Sequence, residues 1–229
     1  MPWLFYDNYY LILVLPAIII SLWAQMKVSS TYKKYSQVMS RGSKTATEIT
    51  RMILDMNGLH NVGIESVSGN LSDHYDPRTN VIRLSDSVRG DVSVASIGVA
   101  AHEAGHAIQH AQGYAPIKWR NAVLPVANIG SHLSVPLIIA GIIFSLESLV
   151  TIGIIAFAAV LLFQLVTLPV EFNASARALK TLKENGILQG EELTGAKRVL
   201  SAAAMTYVSA ALVSVMQLLR LVLISRRDD

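Results

Sequence analysis

The 229-residue sequence contains no cysteine. Disulfides, thiolate metal sites and a cysteine nucleophile are thereby excluded, and any transition metal must be held by histidine and carboxylate. Charge is scarce as well. Only 15% of residues are Asp, Glu, Lys or Arg, against about 25% in an ordinary soluble domain. The net charge is a small +3, and the basic residues are not clustered with aromatics, so nothing in the chain reads as a nucleic-acid-binding surface. Internal repeats and low-complexity tracts are absent too.

What the sequence has in excess is apolar: 52% of residues are hydrophobic, and they fall in long runs. A bilayer core about 30 Å thick takes roughly 20 apolar residues as a helix. Four runs meet that demand: 9–26, 122–144, 149–170 and 199–224. The first has no basic stretch before it, and Lys27, Lys33 and Lys34 follow it, so it reads as a retained anchor rather than a cleaved signal. The fourth carries Gln217 and Arg220; Arg220 is expected to snorkel toward the interface. A soluble protein hiding 122–144 and 149–170 as a buried hairpin is the competing reading; runs of this length argue for spans.

Four spans put an insert (27–121) and a second segment (171–198) on one side. The termini and the turn Ser145–Ser148 fall on the other. Lys27, Lys33, Lys34, Lys118, Arg120, Arg177, Lys180, Lys183, Lys197 and Arg198 lie on the first side, against Arg226 and Arg227 on the second. Lys and Arg prefer the cytoplasmic face. The insert is therefore expected in the cytoplasm, with both termini outside.

The insert has an α+β pattern. Thr45 and Glu48 form a capping-box signature, followed by Ala46, Ile49, Met52, Ile53 and Met56 at helical spacing and by Gly58 as a terminator. Strands are expected at Val62–Val67 and Val81–Leu84, with turn chemistry at Asp76–Asn80. A helix is expected from about Asp91, its N-cap, to Gln112, closed by Gly113.

That last helix holds the chemistry. His102 and His106 are four residues apart, which places both rings on one face, one turn apart. Two histidines so placed can grip one ion, and zinc suits imidazole. Glu103 can reach a water on that ion without being a ligand, and so can act as general base. Two surface histidines with a coincidental Glu would be the bland alternative. The neighbours Val99, Ala100, Ala101, Ala104, Ala107 and Ile108 indicate instead a buried helix, in which histidines need partners. A catalytic zinc site takes a third protein ligand. His110 lies on the same face, but ligands at i, i+4 and i+8 of a straight helix cannot converge; it reads as a surface or supporting residue. Glu171, where the third run ends, is the better candidate, since a carboxylate there is costly unless paired or coordinated. Its alternative is a pair with Arg177 or Lys180. His132, inside the second run, reads as a hydrogen-bonding group between helices, near Ser131 and Ser134.

These residues resemble a known family. The stretch from Ala101 to Gln109 (AHEAGHAIQ), that from Glu171 to Arg177 (EFNASAR) and that from Asp73 to Arg78 (DHYDPR) are similar to the YugP-like neutral zinc metallopeptidases, which are bacterial membrane proteins. The likeness runs from the first span to the fourth. More distantly the chain resembles the HtpX-type and CAAX-processing membrane peptidases, which share the gluzincin arrangement of two His from one helix and one Glu from a later one. The resemblance implies an α+β, zincin-like insert within a four-span membrane protein forming a single domain over 1–229. It implies one catalytic Zn2+ on His102, His106 and Glu171, and a polypeptide substrate. It also implies that Val81–Leu84 is the edge strand above the metal, able to align an extended peptide, with Asp73, His74 and Tyr75 near the cleft. The distant relatives carry an Asp four residues after the ligand Glu; here that position is Ser175, whose hydroxyl can accept or donate a hydrogen bond but supplies no charge, so Ser175, Asn173 and Arg177 are the candidates to support the ligands. His74, Tyr75, Arg177 and Tyr207 are the candidate oxyanion donors. An active endopeptidase is the leading reading. A non-catalytic membrane scaffold stabilised by zinc and a zinc transporter are the alternatives. The sequence leaves oligomeric state open.

Overall fold

The computed structural model describes residues 7–225; Arg226 and Arg227, which entered the charge count above, lie outside them. The chain is mostly helical, with one small sheet. A π-helical turn Tyr10–Val14 leads into α1 (Leu15–Tyr35). There follow α2 (Ala46–Met56), β1 (Gly63–Val67), β2 (His74–Asp76), β3 (Val81–Ser85), α3 (Asp86–Arg89), α4 (Val94–Ala111), α5 (Ala115–Ile143), α6 (Glu147–Glu184) and α7 (Gly190–Ser225). Four helical stretches among the described residues are long and apolar enough to cross a membrane: Tyr10–Tyr35, Ala115–Ile143, Glu147–Glu184 and Gly190–Ser225. Each covers one of the four apolar runs to within a residue and extends beyond it at one end into more polar sequence.

The described residues group into two compact units, one of 7–25, 118–168 and 205–225, the other of 26–117 and 169–204. In the first, α5 and the start of α6 form a hairpin, in which Gly130 lets the Ala156 carbonyl approach more closely than a side chain would permit. Small residues serve this purpose between helices that have no water to escape from. Arg220 does not snorkel. It is buried, and its Nε and Nη2 donate to Asp7 Oδ2 at 2.8 and 2.6 Å. A paired cation costs far less to bury than a free one, so the pairing removes the need to reach the interface. His132 is exposed on α5, and among the described residues it makes no hydrogen bond to another helix; Ser131 bonds back to Asn128 of its own helix.

The second unit contains the sheet. Its strand order is β1-β3-β2, with β1 parallel and β2 antiparallel to β3. Val81–Ser85 is thus the central strand, and the edge positions belong to β1 and β2. The burial of the strand agrees with that place. Val81, Ile82, Leu84 and Ser85 are all buried, as suits a strand covered on both sides, whereas an edge strand with one wet face would alternate. The Thr45–Glu48 capping box forms as expected: each side chain accepts the other residue's backbone N–H. On α4 the N-cap is Ser93 rather than Asp91. Asp91 sits two residues earlier, and its carboxylate accepts from the Ser93 and Ser96 hydroxyls. It braces the cap instead of being it.

The core of this unit joins Ile53 and Leu54 of α2, Ile82 and Leu84 of β3, Ile97, Ala100, Ala101 and Ala104 of α4, Leu182 of α6 and Ala196 of α7. Alanine and glycine recur along α4, so its neighbours come close. A Cβ on Gly105 would lie 2.6 Å from the Ala174 carbonyl oxygen of α6. That contact between backbones sets the spacing of the helices that carry the polar cluster described next.

Candidate metal centre

Both histidines stand on α4 with their Nε2 atoms 3.1 Å apart. Glu171, one turn before Ser175 on α6, points its Oε2 at them, 3.2 Å from His102 Nε2 and 3.6 Å from His106 Nε2. These three are the group among the described residues with the donor atoms to hold a metal ion. The triangle has the right size. Bonds of 2.0–2.1 Å in tetrahedral geometry put ligand atoms about 3.3–3.4 Å apart. The donor set also fits zinc chemically: two imidazoles and one carboxylate, with a fourth position left for water.

The two rings are braced by uncharged groups. His102 Nδ1 is 3.1 Å from Ser175 Oγ, so the serine four residues after Glu171 contacts this histidine. His106 Nδ1 is 3.1 Å from Gln109 Oε1. Gln109 Nε2 donates to the Val170 carbonyl at 2.8 Å and to Asn173 Oδ1 at 2.9 Å. Arg177 donates from Nε to Asn173 Oδ1 and from Nη1 to Gln112 Oε1. Asn173 and Arg177 therefore reach the site through Gln109. Sequence reasoning missed Gln109. Its signal was a polar residue three positions after His106, hence on the same face of a buried helix.

Burial works against charge on His106, but the hydrogen bond with Glu171 and the nearby carboxylates of Glu103 and Glu171 outweigh it and raise its pKa above the ordinary histidine value. The ring is thus drawn toward a cation, which a proton supplies when no metal does.

Glu103 is buried beside the triangle and is not part of it. Its Oε2 accepts the backbone N–H of Tyr75 at 3.0 Å. That bond joins the edge strand β2 to α4 and leaves Oε1 free of it. No side-chain pattern could have announced a main-chain donor here. The Tyr75 hydroxyl donates to Asn80 Oδ1 and lies 3.4 Å from His110 Nδ1. Burial, followed by the charge of Asp76, raises the Tyr75 pKa, so the hydroxyl keeps its proton. His110 is exposed and outside the triangle. His74 is exposed and bonds to the Ser72 carbonyl. Asp73 accepts the backbone N–H and the hydroxyl of Ser85, holding the end of β3. Tyr207 belongs to the other unit.

Residues 10–226 match the profile of a family described as "Putative neutral zinc metallopeptidase". The chain belongs to this family. It is also 46% identical over 222 residues to a protein of Bacillus subtilis (strain 168) named "Putative membrane protease YugP", an alignment covering 96% of this chain and 99% of that one. No solved structure matches. Zinc is accordingly the metal of this family member, and His102, His106 and Glu171 have the chemistry to hold it.

Proposed function

We propose that this protein is a zinc-dependent endopeptidase of the bacterial cell membrane that cuts membrane or membrane-proximal polypeptides. Its 229 residues would act as one metallopeptidase domain. Its polar segments would form a zincin-like insert facing the cytoplasm, with both termini outside. The distribution of Lys and Arg supports that orientation, and the family and the four apolar helices support the membrane and the chemistry.

The observation that carries the reading is Glu103. A purely structural zinc site has no use for a buried carboxylate next to the ligands but outside them, and closed sites hold four protein ligands. Bound to His102, His106 and Glu171, zinc supplies Lewis acidity toward a carbonyl oxygen and lowers the pKa of a water to about 7. Glu103 accepts that water's proton as the water oxygen bonds to the peptide carbon. It then hands a proton to the nitrogen as the C–N bond breaks. The Tyr75 N–H holds one carboxylate oxygen and so orients the other. His102 and His106 donate through Nδ1 to Ser175 and Gln109, which keeps each Nε2 directed at the metal.

The test is Glu103→Gln in purified protein. Zinc content should match wild type, while chelator-sensitive cleavage of unfolded polypeptides falls by about 10²–10⁴-fold, the usual contribution of general acid–base catalysis. If zinc-loaded wild type cleaves none of a varied panel of such substrates, the scaffold reading replaces this one.

A further inference from the structure

The donors and acceptors behind His106 can be assigned without ambiguity, starting from the arginine. A guanidinium only donates. Arg177 Nε, 2.7 Å from Asn173 Oδ1, therefore meets an oxygen there and not the amide nitrogen. With that oxygen fixed, the Gln109 atom 2.9 Å from it must be the NH2 group. The Val170 carbonyl, which only accepts, requires the same orientation independently, at 2.8 Å. Both amide hydrogens of Gln109 are thus used. What remains to face His106 is Oε1, an acceptor, at 3.1 Å. Neutral His106 must therefore carry its hydrogen on Nδ1 to satisfy it, which leaves Nε2 as the bare nitrogen, pointing at His102 and Glu171.

We propose that Gln109 is the positioning residue of the metal site, locking His106 into the tautomer that presents Nε2 to zinc. The inference rests on the zinc reading above. It adds a structural distinction. Histidine ligands are commonly braced by a carboxylate, whose charge raises their basicity. Here the brace is a neutral amide, and the string behind it ends in the Arg177 cation. Such a string orients the ring without feeding it electron density, so zinc keeps more of its electrophilic character. Ser175, also neutral, does the same for His102. Gln109 has a second role, because its two donated bonds go to α6, the helix that carries Glu171. One side chain on α4 thus both orients a ligand of its own helix and ties down the helix of the third.

The experiment separates these roles and does not depend on peptide hydrolysis, so its failure is distinct from failure of the peptidase reading. Nitrogen-15 NMR of metal-free wild type, selectively labelled in histidine and held at alkaline pH, should show His106 with its hydrogen on Nδ1. Zinc affinity is then measured by chelator competition for three proteins. Gln109→Met, close in size but unable to donate and at most a weak acceptor, should bind zinc about 10–100-fold more weakly and lose the Nδ1–H preference. Gln109→Glu keeps the acceptor for His106 and removes the donors to Val170 and Asn173. It should recover the tautomer and most of the zinc affinity while melting below wild type. The proposal is overturned if wild-type His106 carries its hydrogen on Nε2. It is equally overturned if Gln109→Met keeps wild-type affinity, or if Gln109→Glu binds zinc as weakly as Gln109→Met.

Discussion

Replacing Gly105 by alanine should damage the metal site without touching a ligand. The added methyl would sit 2.6 Å from the Ala174 carbonyl oxygen, a backbone atom that cannot rotate away. Ordinary contact begins near 3.4 Å, so α4 and α6 must part locally by up to about 0.8 Å. Glu171 is three residues from Ala174 on the same helix and moves with it. The ligand triangle has edges of 3.1–3.6 Å, and a metal site tolerates about 0.2 Å in its bond lengths. Zinc affinity should therefore fall by at least tenfold. Overpacking costs about 1–3 kcal/mol, partly offset by the roughly 1 kcal/mol that alanine gains over glycine within a helix. The net effect is a modest drop in melting temperature. Gly98, two turns earlier on α4, is the control. A methyl there meets the Ala196 Cβ at 3.4 Å, so Gly98→Ala should keep zinc and melt at or above wild type. Chelator competition and thermal melts in detergent decide the matter. Wild-type zinc affinity in Gly105→Ala would refute the claim that this backbone contact sets the ligand geometry.

Two further outcomes are expected. The raised pKa of His106 gives the metal-free fold a stabilising proton, fully present below the ordinary histidine value of about 6.5 and lost as pH rises through the raised one. Zinc must displace that proton, so the rise in melting temperature on adding zinc should grow with pH across the neutral range and be accompanied by proton release; a rise independent of pH would contradict it. Arg220→Met removes the guanidinium from Asp7 and should destabilise the protein by about 1.5–3 kcal/mol, the usual worth of hydrogen bonding to a charged group, with zinc stoichiometry unchanged in the folded fraction.

Long-period features were legible in the sequence. Runs of about 20 apolar residues can be little else than buried or membrane helices, and each coincides to within a residue with part of one of the four long helices. The His102/His106 pair was legible because helical spacing alone brings the rings together. Glu171 needed an argument from the cost of a carboxylate at the end of an apolar run, and the structure brings it to within hydrogen-bond distance of His102. The strand order was not legible. Val81–Leu84 pattern as a strand, but whether neighbours lie on one side or both depends on how β1 crosses over β2, which no local pattern encodes. Asp91 and Ser93 are both good N-caps by type, and only the helix start decides between them. The Tyr75 contact to Glu103 uses a main-chain N–H and is invisible to any reading of side chains.

The length of α6 has a consequence for how this chain can vary. Its 38 residues, Glu147–Glu184, run as one helix that includes the apolar stretch, Pro169 and then Glu171. Each residue turns a helix by about 100° and advances it about 1.5 Å. Adding or deleting a single residue within 149–170 would therefore swing every earlier side chain about a quarter-turn relative to Glu171. Only changes of about seven residues, two full turns, bring the faces back into phase. A helix that carries a long apolar run and Glu171 on one continuous backbone cannot be lengthened freely. The apolar stretch should tolerate substitution of one aliphatic residue by another far better than any insertion.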